Sequence, residues 1–228
     1  MNKTSSFPSH TSYFSPLSAS MIEVCRADDF DFFLPFIEAG KLTVVQMYQA
    51  AERYRLGKTK SGRPMFWMIN DKMEPLDAHI ANSTWLSTLL KAREPELLEC
   101  WRVKHCLFGQ HLLSTSSTSV CVVESEKTAV VCSELFPESL WMAYVTILNL
   151  DISLFAPLQG RTVVLFPPTE PTFSTFLFFD ELVTSVRRHY NIHIVVNSIL
   201  EDYATDDQKE RCIDLLDFIL EKQSQTNQ

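Results

Sequence analysis

No run of about 18 consecutive apolar residues occurs in the chain, so no segment has the length a membrane-spanning helix needs. The N-terminus has no apolar core of a secretory signal, and a cytoplasmic location with no membrane contact is the expectation. The cysteines Cys25, Cys100, Cys106, Cys121, Cys132 and Cys212 show no CxxC pairing, which excludes a zinc ribbon and a thioredoxin-like motif and fits a reducing compartment. No Gly-x-Ser-x-Gly elbow accompanies the serines of Ser114 to Ser119, and Gly57-x4-Gly62 continues into Arg63-Pro64 rather than Lys-Ser. A hydrolase nucleophile and a P-loop are therefore unsupported. Positive charge is also short: the net formal charge is −8, against broad capture of nucleic acid.

What is present is enough apolar residue for a full core, 46% of 228 residues. Met1 to Ser20, rich in Ser, Thr and Pro, reads as a flexible lead-in, and residues 1–21 are assigned to it. Asp28 and Asp29 are placed to cap a helix over Phe30 to Glu38 that Gly40 closes. Thr43 with Gln46 forms a capping-box pattern for a second helix, with Val44, Met47, Tyr48 and Ala51 as its apolar stripe and Gly57 as its stop. Met65 to Ile69 and Glu74 to Ile80 flank Asn70-Asp71-Lys72 and predict a β-hairpin. Ser83 to Leu90 looks helical; Ala92 to Cys106 gives no assignable pattern.

From Val120 the order becomes regular. Val120 to Val123 is a β-branched run that ends at Glu124, and Ser125 opens an amphipathic segment to Phe136, with the Ser125 hydroxyl suited to the N-cap and Glu126 to the helix dipole. Cys121 and Cys132 fall in this strand and helix as small buried hydrophobes. Strands near Leu140 to Val145, Arg161 to Phe166 and Ile192 to Val196 alternate with a helix over Thr172 to Arg188, whose buried face is Phe176, Phe179, Val183 and Val186. A last helix runs from Asp206 to Glu221, with Thr205 and Gln208 as capping box and Cys212, Leu215, Leu216 and Ile219 as its stripe. This alternation predicts an α/β fold with a mostly parallel sheet covered by helices on both faces over residues 109–228, plus a helical and β-hairpin N-terminal appendage over 22–108.

Three features bear on chemistry. Glu124 sits at the carboxyl end of a buried strand beside a helix start, where open α/β sheets place ligands, and it holds either a metal or phosphate role or a structural one. Arg53, Arg55, Lys58, Lys60 and Arg63 are the densest positive stretch, either a phosphate grip or a solvated helix end and loop. His189 and His193 have an i, i+4 spacing, but the helix ends between them, so they share no face for zinc. Glu201 to Glu221 carries eight acidic residues against Lys209 and Arg211, so nucleic acid must approach elsewhere.

The blocks Phe108-Gly109-Gln110-His111-Leu112-Leu113, Val122-Val123-Glu124-Ser125-Glu126-Lys127-Thr128-Ala129, Gly160 to Pro167 and Asp214 to Leu220 resemble an uncharacterised Toprim-like family of bacterial mobile-element proteins. Ala51 to Gly57 and Phe66-Trp67 resemble its front half, and the likeness spans roughly residues 30 to 221. The resemblance implies a Glu at the first strand end, matched by Glu124, and an acidic Mg²⁺-holding motif after a later strand. There the chain has Pro168, which leaves Glu170 as the other metal candidate. Where relatives carry a Gly-Gly turn the chain has Val145-Thr146, which predicts loss of a positive-φ backbone. No primase-like zinc ribbon is matched.

Both departures imply a degenerate site and a non-catalytic module with no cofactor. It would act in DNA replication or transfer through a protein partner or weak single-stranded nucleic-acid binding. The alternative is an active Mg²⁺-dependent primase-like or nuclease-like enzyme with Glu124 as its catalytic residue. A small-ligand domain sharing only the sheet is a third reading.

Overall fold

The capping box at Thr43 forms as its sequence requires: the Gln46 amide donates to the Thr43 hydroxyl at 3.2 Å and the Thr43 amide to Gln46 Oε1 at 3.0 Å. In the computed structural model, which describes residues 17–81, 84–93 and 105–226, this box opens the third helix. The N-terminal helices are α1 (Ala19–Cys25), α2 (Leu34–Glu38, after a 3-10 turn at Asp31–Phe33) and α3 (Val44–Arg53). Residues 1–16 of the expected lead-in and 94–104 of the unassigned stretch lie outside the described residues. Neither Asp28 nor Asp29 caps α2; Asp29 instead pairs with Lys58 at 3.0 Å. On α3 the buried stripe is Met47, Ala50 and Ala51, with Tyr54 just beyond, while Val44 and Tyr48 are exposed. Met47 and Ala51 of the expected stripe are buried, and the buried face turns towards Ala50 rather than Val44 and Tyr48.

The predicted hairpin is present and belongs to an antiparallel sheet of β1 (Gly57–Lys58), β2 (Pro64–Ile69), β3 (Pro75–Ile80) and β4 (Thr84–Trp85), in that order. Gly57 is a strand residue paired with Met65 rather than a helix stop, and it must be glycine because a Cβ there would lie 2.6 Å from the Cys25 carbonyl oxygen; Arg55 takes the left-handed turn after α3. Helix α4 (Leu86–Arg93) starts later than expected, after β4. Strand β2 is buried on both faces. Met65, Trp67 and Ile69 pack towards α4 and α1, and Phe66 and Met68 join the main core.

The second sheet is parallel throughout, built from β5 (Val120–Val123), β6 (Leu140–Ala143), β7 (Thr162–Phe166) and β8 (His193–Val196) in the order β6-β5-β7-β8. Val120 pairs with both Leu140 and Val163, and Val123 with Ala143 and Phe166, so the apolar run of β5 is central and needs no polar face. Helices α5 (Glu126–Leu135), α6 (Ser174–His189), α7 (Ile199–Tyr203), α8 (Asp206–Glu210) and α9 (Leu215–Thr226) flank it. This is a mixed α/β fold with the four predicted strands parallel in one sheet. Among the described residues, no helix is long and apolar enough to cross a membrane.

Three local readings change. Ser125 is the N-cap of α5 but its side chain makes no capping bond. The expected last helix is two, because Cys212 adopts φ 51° and Asp214 restarts the chain; Cys212 is exposed, not part of the buried stripe. Phe176 of α6 is half-buried and stacks on Phe173, with centroids 4.9 Å apart.

One core joins the two sheets. Phe108 packs edge-on to Phe66 and stacked on Tyr54, and it exchanges backbone hydrogen bonds with Ala143 of β6. The buried Tyr54 hydroxyl donates to the Trp141 carbonyl at 2.8 Å.

Candidate functional site at the carboxyl edge of the parallel sheet

The chain leaves β5 for β6 on one side and returns to β7 on the other, so the strand order reverses around β5. The carboxyl ends of β5 and β7 border the crevice where such sheets hold ligands. Glu124 follows β5 directly. Its half-buried carboxylate accepts no hydrogen bond from the described residues, and burial, then the charges of Asp214 and Glu126, push its carboxyl above the usual carboxylate range.

The neighbouring carboxylates are occupied. Glu126, in the first turn of α5 and 4% exposed, accepts from His79 Nδ1 of β3 at 2.7 Å, and the His79 ring lies against Trp85. Asp214 accepts the Leu216 and Asp217 amides at 2.8 and 3.0 Å, capping α9, and the Thr128 hydroxyl at 2.5 Å. The buried Tyr144 phenol is raised by burial and by the Glu124 and Asp214 charges. Sequence reasoning missed His79 and Asp214, which lie 47 residues from Glu126 and 86 from Thr128 along the chain. The Asp214-x-x-Asp217 spacing before an apolar stripe was the available signal for the second.

Behind Glu124 the amides of Tyr144 and Val145 donate to the carbonyls of Val123 and Glu124 at 3.1 and 2.9 Å. Val145 holds φ 69°, so the left-handed backbone survives without glycine, contrary to expectation. A β-branched residue rarely adopts this conformation, and such strain costs about 1–3 kcal/mol.

The end of β7 is closed by the chain itself. Thr169 is fully buried; its amide donates to the Ile213 carbonyl at 3.1 Å and its hydroxyl to Glu201 at 2.8 Å. Glu170 turns into the start of α6. One oxygen accepts the Thr172 amide and hydroxyl, the other the Ser174 hydroxyl and the Thr175 amide, at 2.5 to 3.0 Å. These bonds, the Thr172 hydroxyl first, bring its carboxyl down to about 2. Glu170 is not among the charges that act on Glu124. Among the described residues, no group of three or more His, Cys, Asp or Glu side chains is arranged to hold a metal.

The basic stretch is divided by internal pairing. Arg53 binds Glu134 and, at 3.2 Å, the Ser133 hydroxyl; Arg55 binds Glu23 at 3.2 Å; Lys58 binds Asp29 at 3.0 Å and stands over the Phe30 ring. Lys60 and Arg63 are exposed in the β1–β2 turn and have no ion-pair partner among the described residues.

Residues 32–169, more than half of the chain, match the family described as Domain of unknown function (DUF6371). The chain belongs to that family. The DUF6371 segment holds the antiparallel sheet, β5 to β7 and Glu124, and ends one residue before Glu170; α6 to α9 and Asp214 lie beyond it. No curated protein is significantly similar to the sequence.

Proposed function

We propose that this chain is a Toprim-like module of a mobile genetic element that does not catalyse phosphoryl transfer. It acts in DNA replication or transfer by binding a protein partner and, weakly, single-stranded nucleic acid. The observation that carries this reading is the contrast at the crevice: the half-buried Glu124 carboxylate has no donor among the described residues, while the β7 end is tied down and Glu170 caps α6. Mg²⁺ demands near-octahedral oxygen ligands, usually from more than one acidic group or a bound phosphate. The residues present do not fit it, since Glu126 is paired with His79 and both Asp214 oxygens accept hydrogen bonds. Lys60 and Arg63 are the cations that support weak, salt-sensitive contact with a phosphate backbone.

Calorimetric titration with Mg²⁺ tests this reading. Binding no tighter than millimolar, and unchanged in Glu124→Gln, is expected. Micromolar binding abolished by Glu124→Gln would favour the Mg²⁺-dependent primase-like or nuclease-like alternative instead.

A further inference from the structure

Strand pairing sets Cys121 beside Trp141 and Val164, and Phe166, two residues beyond Val164, lies on the same face of the parallel sheet. Over that face opens a cleft of about 460 Å³. Its floor is aromatic: the Trp141 and Phe166 rings are stacked with centroids 5.7 Å apart, and Phe136 lies 5.9 Å from Trp141. Leu215, Phe218 and Ile219 of α9 form the opposite wall at the i, i+3, i+4 spacing of one helix face. The polar groups inside are already engaged or inert. The Trp141 indole donates to the Phe136 carbonyl at 3.0 Å, the Ser139 hydroxyl meets Ser119 at 3.3 Å, and burial raises the Cys121 thiol above its ordinary range. Of the charged groups at the rim, the Lys222 ammonium is already engaged with the Phe218 ring, 5.2 Å from its centroid, and Glu138 is exposed to water. Only ring faces and methyl groups are offered to an occupant.

We propose that this cleft binds a small, neutral, planar aromatic molecule, its rings laid on Trp141 and Phe166 and covered by the α9 wall. The volume falls in the range of small-molecule pockets, roughly 300–1,000 Å³. It is too small to seat two turns of a partner helix about 10 Å across. A flat aromatic floor selects a flat ring system over a saturated one through offset stacking. A charged ligand would give up its water and find no partner inside, so the walls select a neutral one.

The test uses the full chain with 2-naphthol as probe, read by calorimetry and by the Trp141 indole proton in NMR spectra. Decahydro-2-naphthol, saturated and not flat, is the shape control, and 2-naphthoate is the charge control. Submillimolar naphthol binding with an upfield ring-current shift at Trp141 is expected. The saturated alcohol should bind about threefold or more weakly. Naphthoate should bind about tenfold or more weakly than naphthol. Ile219→Trp, which fills the cleft, should weaken naphthol by about tenfold or more. The NMR shift and the two controls in the unaltered protein keep the test decisive where the variant does not fold. No naphthol binding, shifts that spare Trp141, either control binding as tightly as naphthol, or affinity indifferent to Ile219→Trp in a folded variant would each overturn the assignment. Self-association in sedimentation that naphthol does not disturb and Ile219→Trp abolishes would overturn it too, by giving the cleft to a second copy of the chain.

Discussion

The ends of β5 and β7 are neighbours in one sheet, yet they carry opposite chemistry. After β5, Glu124 is left without a donor and its carboxyl is pushed up; after β7, Glu170 gathers four hydrogen bonds and is pulled down to about 2. Burial and like charge act on the first, local helix-capping geometry on the second. The difference shows that a carboxylate at the edge of a parallel sheet can be either a group whose charge is disfavoured or a piece of loop architecture. Hydrogen-bond partners, rather than position along the chain, decide which.

The largest effect that would sharpen this comparison comes from the support of the β5 end. His79→Ala leaves the Glu126 carboxylate buried without its partner and should cost about 3 kcal/mol in urea unfolding. A loss no larger than that of an ordinary surface substitution would show that the β3–α5 link does not hold this edge.

Glu170→Gln should destabilise less, read as a lowered thermal midpoint. Because the folded carboxyl is depressed, its contribution is complete above the unfolded value near 4.5 and disappears as pH falls through about 2. The difference between wild type and variant should follow that window. A difference independent of pH would assign the effect to packing.

Much of this architecture was legible beforehand. The β-branched run at Val120 and the alternation of strand and helix patterns after it pointed to the four parallel strands, and the capping boxes at Thr43 and Thr205 formed as the local rules require. The failures at the site share one cause. The pairing of Glu126 with His79 and of Asp214 with Thr128 depends on chain segments far apart in sequence, which periodicity does not record. The split at Cys212 was missed because Asp206 to Glu221 carries an unbroken helical pattern and no glycine or proline marks the turn. The basic stretch was legible as composition but not as surface, since its acidic partners Glu23, Asp29 and Glu134 come from other segments.

Glu124→Gln should have a smaller effect and the opposite sign, unchanged or stabilised by no more than about 1 kcal/mol at neutral pH. A raised folded pKa means the wild-type carboxylate costs stability as pH rises through the unfolded value near 4.5 and beyond, so the two proteins should converge below it. Clear destabilisation at neutral pH would reveal a donor to Glu124. The smallest expected change is that of Lys60→Ala with Arg63→Ala, within about 0.5 kcal/mol in stability. The same pair should remove low-salt retention of a single-stranded oligonucleotide in filter binding. Retention that persists would move the contact away from this turn.

The Glu124 side-chain carboxyl can be followed directly by carbon-13 NMR across a pH titration, with and without about 10 mM Mg²⁺. Its midpoint should lie above the ordinary glutamate value of 4.5 and stay there when Mg²⁺ is added. A midpoint at or below that value, or one that Mg²⁺ draws down by favouring the ionised form, would contradict a half-buried, undonated and metal-free carboxylate at this strand end.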